Sequence, residues 1–318
     1  MGMRRGLAML GALPLLLVGS GAVAGAGGAP ENGLIAARGA DAIYLIDADS
    51  AKAWKVPGTA EMSDPAWSPD GSLLAASMWD DNGDSVYTLR PDGRDRRLVL
   101  ENAWSPSWSP DGKRLVVVRD SCFAPYTCGV DTEGMSILVS VRVDGSDAHQ
   151  LTFDNGNESD NANTPAWSPD GKWIAYVGGE GAVELVASDS QEGRGRTVAD
   201  SGSNPAWSPD ASKLAFDVVD SSKDYRQEVV VLDLATGVRT TLPPRPTPVS
   251  ALAWSPDGKR LAFLSSRTPM PQDGHCGGEM TMDLWGMDTK GTNPHLLSKG
   301  SYGRPAWGTF QPQPKPSD

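Results

Sequence analysis

Pro65-Ala66-Trp67-Ser68-Pro69-Asp70-Gly71 decides the fold, because the stretch recurs. It returns as Pro106-Ser107-Trp108-Ser109-Pro110-Asp111-Gly112, again over residues 165–171, and over 205–211 with Ala211 in place of the glycine. Leu252-Ala253-Trp254-Ser255-Pro256-Asp257-Gly258 is a fifth copy, and Pro305-Ala306-Trp307-Gly308 is a sixth, truncated after the tryptophan. Successive tryptophans lie 41, 59, 40, 47 and 53 residues apart. The shorter intervals match one four-stranded propeller blade, and the longer ones match a blade with a loop insertion.

Each unit carries the same order of signals. Ala-Trp-Ser is a short strand. Pro-Asp-Gly is a tight turn: proline fixes φ, aspartate bonds its own backbone and glycine accepts positive φ. An apolar second strand follows, over 73–77, 114–119, 173–177, 213–218 and 260–264. A third is expected after a variable loop, over 85–89, 136–143, 182–187, 228–233 and 283–287. Turns such as Asp92-Gly93, Asp144-Gly145 and Thr236-Gly237 lead into a fourth, over 97–100, 149–152 and 238–242. The sixth copy supplies one strand, 305–307, and residues 34–38, 42–46 and 52–56 read as the three that it lacks. Joining them closes a ring and removes free sheet edges. The reading is an all-β, six-bladed β-propeller of four-stranded antiparallel blades, with the last blade closed by N-terminal strands.

The remaining features set its surroundings. Arg4 and Arg5, the apolar run 7–18 and Ala22-Val23-Ala24 have the pattern of a secretory signal peptide over 1–24. The apolar run is short for a bilayer span, and the arginine pair leaves a twin-Arg export route open. Residues 25–310 then form one propeller domain and the Pro-rich 311–318 a disordered tail. Cleavage takes the formal charge from −12 to −14. That charge, without a cluster of Lys and Arg, argues against nucleic acid as a partner. A secreted or periplasmic protein without a transmembrane segment is expected, as a monomer. Cys122 and Cys128, six apart in a polar loop, are a disulfide candidate in an oxidising compartment. Cys276 is left over. With His275 it supplies too few ligands for a closed zinc site, so neither metal nor cofactor is expected.

The PAWSPDG units, each followed by an apolar strand such as Lys172-Trp173-Ile174-Ala175-Tyr176, resemble the β-propeller repeats of the TolB family. The resemblance covers nearly all of the chain after the leader, and the length leaves no room for the α/β domain that precedes the propeller in TolB. It implies a docking ring that binds partner proteins or peptides at the mouth of its central channel. Similar propellers precede peptidase domains of the prolyl oligopeptidase class, and no such domain is read here.

The recurrent tryptophans read as packing between blades, and the aspartates of the turns as turn residues. Positions that vary within this constant frame are better candidates for function. Three residues before each tryptophan stand Asp64, Ser105, Thr164, Asn204, Ala251 and Arg304. By propeller geometry they should lie near the axial opening, and Asp64, Ser105, Thr164, Asn204 and Arg304 are the candidate partner-binding residues. The oxygen-rich segments 80–84 and 154–163 miss the register of a calcium loop and read as solvated turns. Insertions over 122–134 and 268–281 both follow a second strand and should share one rim. No Gly-x-Ser-x-Gly elbow occurs after the leader. Of three histidines, His149 and His295 fall on expected outer strands, which leaves His275 alone. No catalytic residue is assigned. The expected function is a scaffold binding a protein or peptide through its axial face. The alternative is an extracellular hydrolase or lyase on a glycan or small molecule, using axial carboxylates with or without a metal.

Overall fold

The computed structural model describes residues 31–80, 83–120, 136–152, 162–191, 193–220, 226–243, 249–266, 282–300 and 302–310. The candidate disulfide Cys122–Cys128, His275, Cys276 and the segments 1–24 and 311–318, expected to be a leader and a tail, all lie outside them.

The described strands form six four-stranded antiparallel sheets arranged as a ring. In chain order β1 (Glu31–Arg38), β2 (Ile43–Ile46) and β3 (Ala53–Lys55) come first. Blade 1 is β4 (Met62–Trp67), β5 (Leu74–Asp80), β6 (Gly83–Leu89) and β7 (Arg97–Glu101). Blade 2 is β8 (Ala103–Trp108), β9 (Arg114–Asp120), β10 (Ser136–Arg142) and β11 (His149–Gln150). Blade 3 is β12 (Asn163–Trp167), β13 (Trp173–Val177), β14 (Val183–Ala187) and β15 (Arg196–Ala199). Blade 4 is β16 (Ser203–Trp207), β17 (Lys213–Asp220), β18 (Arg226–Asp233) and β19 (Arg239–Thr241). Blade 5 is β20 (Val249–Trp254), β21 (Arg260–Ser266), β22 (Met282–Asp288) and β23 (His295–Ser298). Blade 6 is β24 (Ala306–Phe310) followed by β1, β2 and β3. Ile35 faces Trp307 and Ala36 faces Ala306 across its seam, as the truncated sixth copy requires. His149 and His295 lie on the outermost strands of their blades.

Each first strand touches the first strands of the neighbouring blades, so these six surround the axis. The second and third strands are covered on both faces by neighbouring blades. They therefore read as unbroken apolar runs rather than alternating ones: Leu115, Val116, Val117 and Val118 are all buried. Several second strands run further than their apolar stretch. β5 continues to Asp80, which pairs with Gly83, so part of the acidic segment 80–84 is hairpin strand rather than loop.

The first strands of blades 1–5 carry an irregularity between the residue four before the tryptophan and the residue just before it, as between Ser63 and Ala66 or Ser203 and Ala206, whereas in blade 6 the irregularity lies between Asn32 and Ile35 of β1. An extra residue there bends the strand. Pro65, Pro106, Pro165 and Pro205 sit inside these bulges, where a missing N–H breaks no ladder bond. In blades 1–4 the repeated proline thus marks the bend of the inner strand, and blade 5 bends there with Leu252 in its place.

Candidate functional site

In blades 1–5 the residue three before the tryptophan occupies this bulge, while Arg304 of the sixth copy precedes its strand. Asp64, Ser105, Thr164, Asn204 and Ala251 have φ of 48°, 49°, 47°, 51° and 51°. A side chain in the left-handed region costs about 1–2 kcal/mol, with Asn and Asp tolerating it best. Its recurrence in five blades means that the bulge imposes it whatever the side chain. In two blades the N–H of this residue finds an acceptor on the second strand of the preceding blade. Ser105 donates from its backbone to Ser77 Oγ (2.9 Å), and Ala251 to Asp217 Oδ1 (3.3 Å). Ser77 and Asp217 hold equivalent places, opposite Ser63 and Ser203.

Four charged axial groups, Asp64, Asp84, Asp217 and Arg304, share one electrostatic neighbourhood with Asn204. Asp217 is 3% exposed and accepts a hydrogen bond from Asn204 Nδ2 (3.1 Å). Burial pushes its carboxyl up to about 6, against the opposing pull of Asn204, the Ala251 N–H and the charge of Arg304. Burial likewise lowers the pKa of Arg304, opposed by the charges of Asp64 and Asp217. Asp84, at the start of β6, is raised by burial and then by the charge of Asp64. Arg304 immediately precedes the proline that leads into β24 and keeps partial exposure. No hydrogen bond or close ion pair ties its guanidinium to the described residues. Its donors are hemmed in by protein yet uncommitted, which suits a group whose partner comes from outside. The Thr164 hydroxyl is buried with no hydrogen-bond partner among the described residues.

Of the sequence candidates, the structure gathers Asp64, Asn204 and Arg304. Ser105 is buried and its backbone latches one blade to the next, and Thr164 lies in the same ring without a bond to the cluster. Sequence reasoning missed Asp217 and Asp84. Asp217 left a signal: it is a lone carboxylate inside the apolar run Leu214-Ala215-Phe216-Asp217-Val218. It also missed Trp79, 68% exposed two residues beyond Ser77, toward the end where the inner strands begin. Among the described residues no group of three or more His, Cys, Asp or Glu is placed to hold a metal ion. No described helix is long and apolar enough to cross a membrane.

The recurrent tryptophans join blades. The indoles of Trp108, Trp207 and Trp254 donate to the carbonyls of Ala66, Ala166 and Ala206 in the preceding blade, at 3.0, 2.9 and 3.1 Å. The Ser68 hydroxyl bonds Asp70 (2.7 Å) and accepts from the Leu73 N–H, and the same box recurs at Ser109, Ser168, Ser208 and Ser255. The aspartates of the Pro-Asp-Gly turns thus hold turns rather than ligands.

A profile of the TolB beta propeller domain matches residues 143–273. Over 149 residues the chain is 29% identical to an uncharacterized peptidase of Bacillus subtilis, YuxL, covering 37% of this chain and 22% of that protein. Over 214 residues it is 27% identical to a TolB homolog of Chlorobium chlorochromatii, covering 66% of this chain and 45% of that protein. The chain therefore spans less than half the length of either relative. Among solved structures, TolB from Acinetobacter baumannii superposes with a TM-score of 0.65 at 19% identity, over 87% of this chain and 66% of that one. That last likeness is one of fold.

Proposed function

Since the ring is a TolB-type six-bladed β-propeller, we propose that it is a scaffold of the cell envelope or the extracellular space that binds a protein or peptide at its axial mouth. One observation carries the reading. Arg304 stands partly withdrawn from water beside Asp64 and Asp217, without a hydrogen bond to the described residues. A side chain with five N–H donors left open in a ring of polar residues is costly unless a ligand uses them. The exposed indole of Trp79 adds an aromatic contact of the kind that dominates docking surfaces. The test is capture from envelope and secreted fractions by the wild type, by Arg304→Lys and by an Asn204→Ala plus Arg304→Ala double variant. A protein held by the wild type, weakly by the lysine variant and not by the folded double variant supports the axial site. Equal capture by all three overturns it.

A second reading, catalysis on a glycan or small molecule, is favoured by one group. A buried carboxyl titrating near 6 is poised for acid–base work. Turnover of any such substrate that disappears in Asp217→Asn would support this reading, and turnover unchanged in that variant would end it.

A further inference from the structure

In an acidic chain of net charge −12, one groove is cationic. It has a volume of about 580 Å³ and lies between blades 1 and 2, lined by Arg90, Arg97, Leu98, Lys113, Arg142 and Val143 among others. Its walls are the turns that join first to second and third to fourth strands, with the adjoining ends of β6, β7 and β10. Antiparallel order puts these turns on the rim opposite the axial mouth.

Two of the lining side chains are acidic, and both are occupied locally. Asp95 pairs with Arg90 at 2.7 Å. Asp144 accepts from the Ser146 N–H and hydroxyl, which hold its carboxyl below the usual range. Lys113 is 3.6 Å from Asp111, a loose pair. Arg97 and Arg142 are exposed, and neither guanidinium makes a hydrogen bond or close ion pair with the described residues, Arg142 acting on Asp144 and Asp147 through charge alone. The groove therefore presents two open guanidiniums and a loosely held ammonium. Its wall is set by backbone contact. Gly145 has φ +83°, and a Cβ there would meet the Val99 carbonyl oxygen at 2.8 Å. Only glycine lets the Arg142–Ser146 turn abut β7 so closely. Between the cations lie Leu73, Val143 and the 44%-exposed Leu98.

We propose that this groove binds an acidic, leucine- or valine-bearing segment of a partner protein, with its carboxylates on Arg97 and Arg142 and its apolar side chains on Leu98 and Val143. Guanidinium forks match carboxylates in geometry as well as charge. A pocket of this volume is in the range that encloses a compact ligand or a few residues of chain. The interleaved apolar side chains fit a peptide better than a phosphodiester or a uronate polymer. The negative charge of the rest of the molecule confines an acidic partner to this place. The inference does not rest on the axial reading, since the two surfaces lie on opposite rims.

The experiment is fluorescence anisotropy of a labelled peptide alternating Glu and Leu, titrated with the full chain at low salt and at about 0.5 M salt. Saturable binding is expected, weakened by salt, and weakened about tenfold or more in Arg97→Gln plus Arg142→Gln. Both residues are exposed, and an unchanged melting curve will show that the variant is folded. The Asn204→Ala plus Arg304→Ala variant should bind the peptide like the wild type, so that loss of axial capture and loss of groove binding stay distinct. Absence of saturable binding overturns the proposal. So does equal binding by the Gln variant, or saturation by a single-stranded oligonucleotide or oligogalacturonate where the peptide shows none.

Discussion

Asp217 does with a carboxylate what Ser77 does with a hydroxyl in the equivalent place: each accepts the N–H of a left-handed residue in the next blade. The carboxylate adds a bond from Asn204 and a charge near Arg304, and burial makes that charge costly. In the folded protein the group titrates near 6, against 3.8 for the free side chain. Between these values the folded state holds a proton that the unfolded chain has released, so stability falls as pH rises, by about 1.4 kcal/mol per unit. The loss is absent below the unfolded value and complete above the folded one, about 3 kcal/mol in all. Asp217→Asn removes the titration, and any fixed effect of the amide cancels when two pH values are compared. Urea unfolding at about pH 4 and about pH 7.5 should show the variant gaining about 2–3 kcal/mol on the wild type between them. Parallel pH dependences would mean that the Asp217 carboxyl is not raised. Another residue explains a departure in the repeat. Gly308 stands where the other copies have serine, and a Cβ there would lie 2.9 Å from Cδ1 and Cγ of Trp67. The missing Cβ is the space into which the first blade's indole packs where the ring closes.

At the scale of the element, the inner strand with its bulge is the unit that repeats. Its tryptophan, proline, Ser-Asp box and left-handed residue are four parts of one geometry. The proline and the turn were legible in the sequence because they obey local rules: φ, the missing N–H, and glycine at positive φ. Strand order and ring closure were legible because six copies with one strand at one end and three at the other admit one simple pairing. The left-handed residues were not legible as such. Asp64 and Asn204 suit that conformation, but Thr164 and Ala251 do not, so no shared residue type announces it. Their clustering with Asp217 and Asp84 was hidden for a different reason: those residues come from second and third strands, brought in by packing between blades rather than by spacing. Thr164 tests the bulge directly. It is β-branched at φ 47° with a buried, unpartnered hydroxyl. Thr164→Asn, which suits the left-handed region, should raise stability by about 1 kcal/mol, read as a higher urea midpoint at unchanged slope. A lower midpoint would show that the threonine side chain holds something the strain argument leaves out.

At the scale of the whole molecule, the described residues share no single core. The buried apolar residues form six clusters, and each is shared by two neighbouring blades. The clusters at the 5–6 and 6–1 interfaces both need blade 6, the one blade assembled from the two ends of the chain. Its seam is held by the β24–β1 pairing, by the Trp307 indole on the Gly33 carbonyl (3.1 Å) and by the Thr309 hydroxyl on the Pro69 carbonyl (2.6 Å). In an open stack of repeats, losing a terminal strand would melt only its own unit. In a closed ring the loss bares the β1 edge, loosens the two clusters beside it and frees every other blade to splay. A chain ended at Gly303 should therefore unfold in one transition about 10 °C or more below the full chain, rather than keep a transition at the original temperature for blades 2–4. A synthetic peptide of residues 304–310, added in excess, should raise that midpoint with concentration, because it binds the folded ring and not the unfolded chain. A truncated protein melting like the full one would show that the seam contributes nothing. Two transitions, one at the original temperature, would show blades that stand as neighbours without acting as a ring.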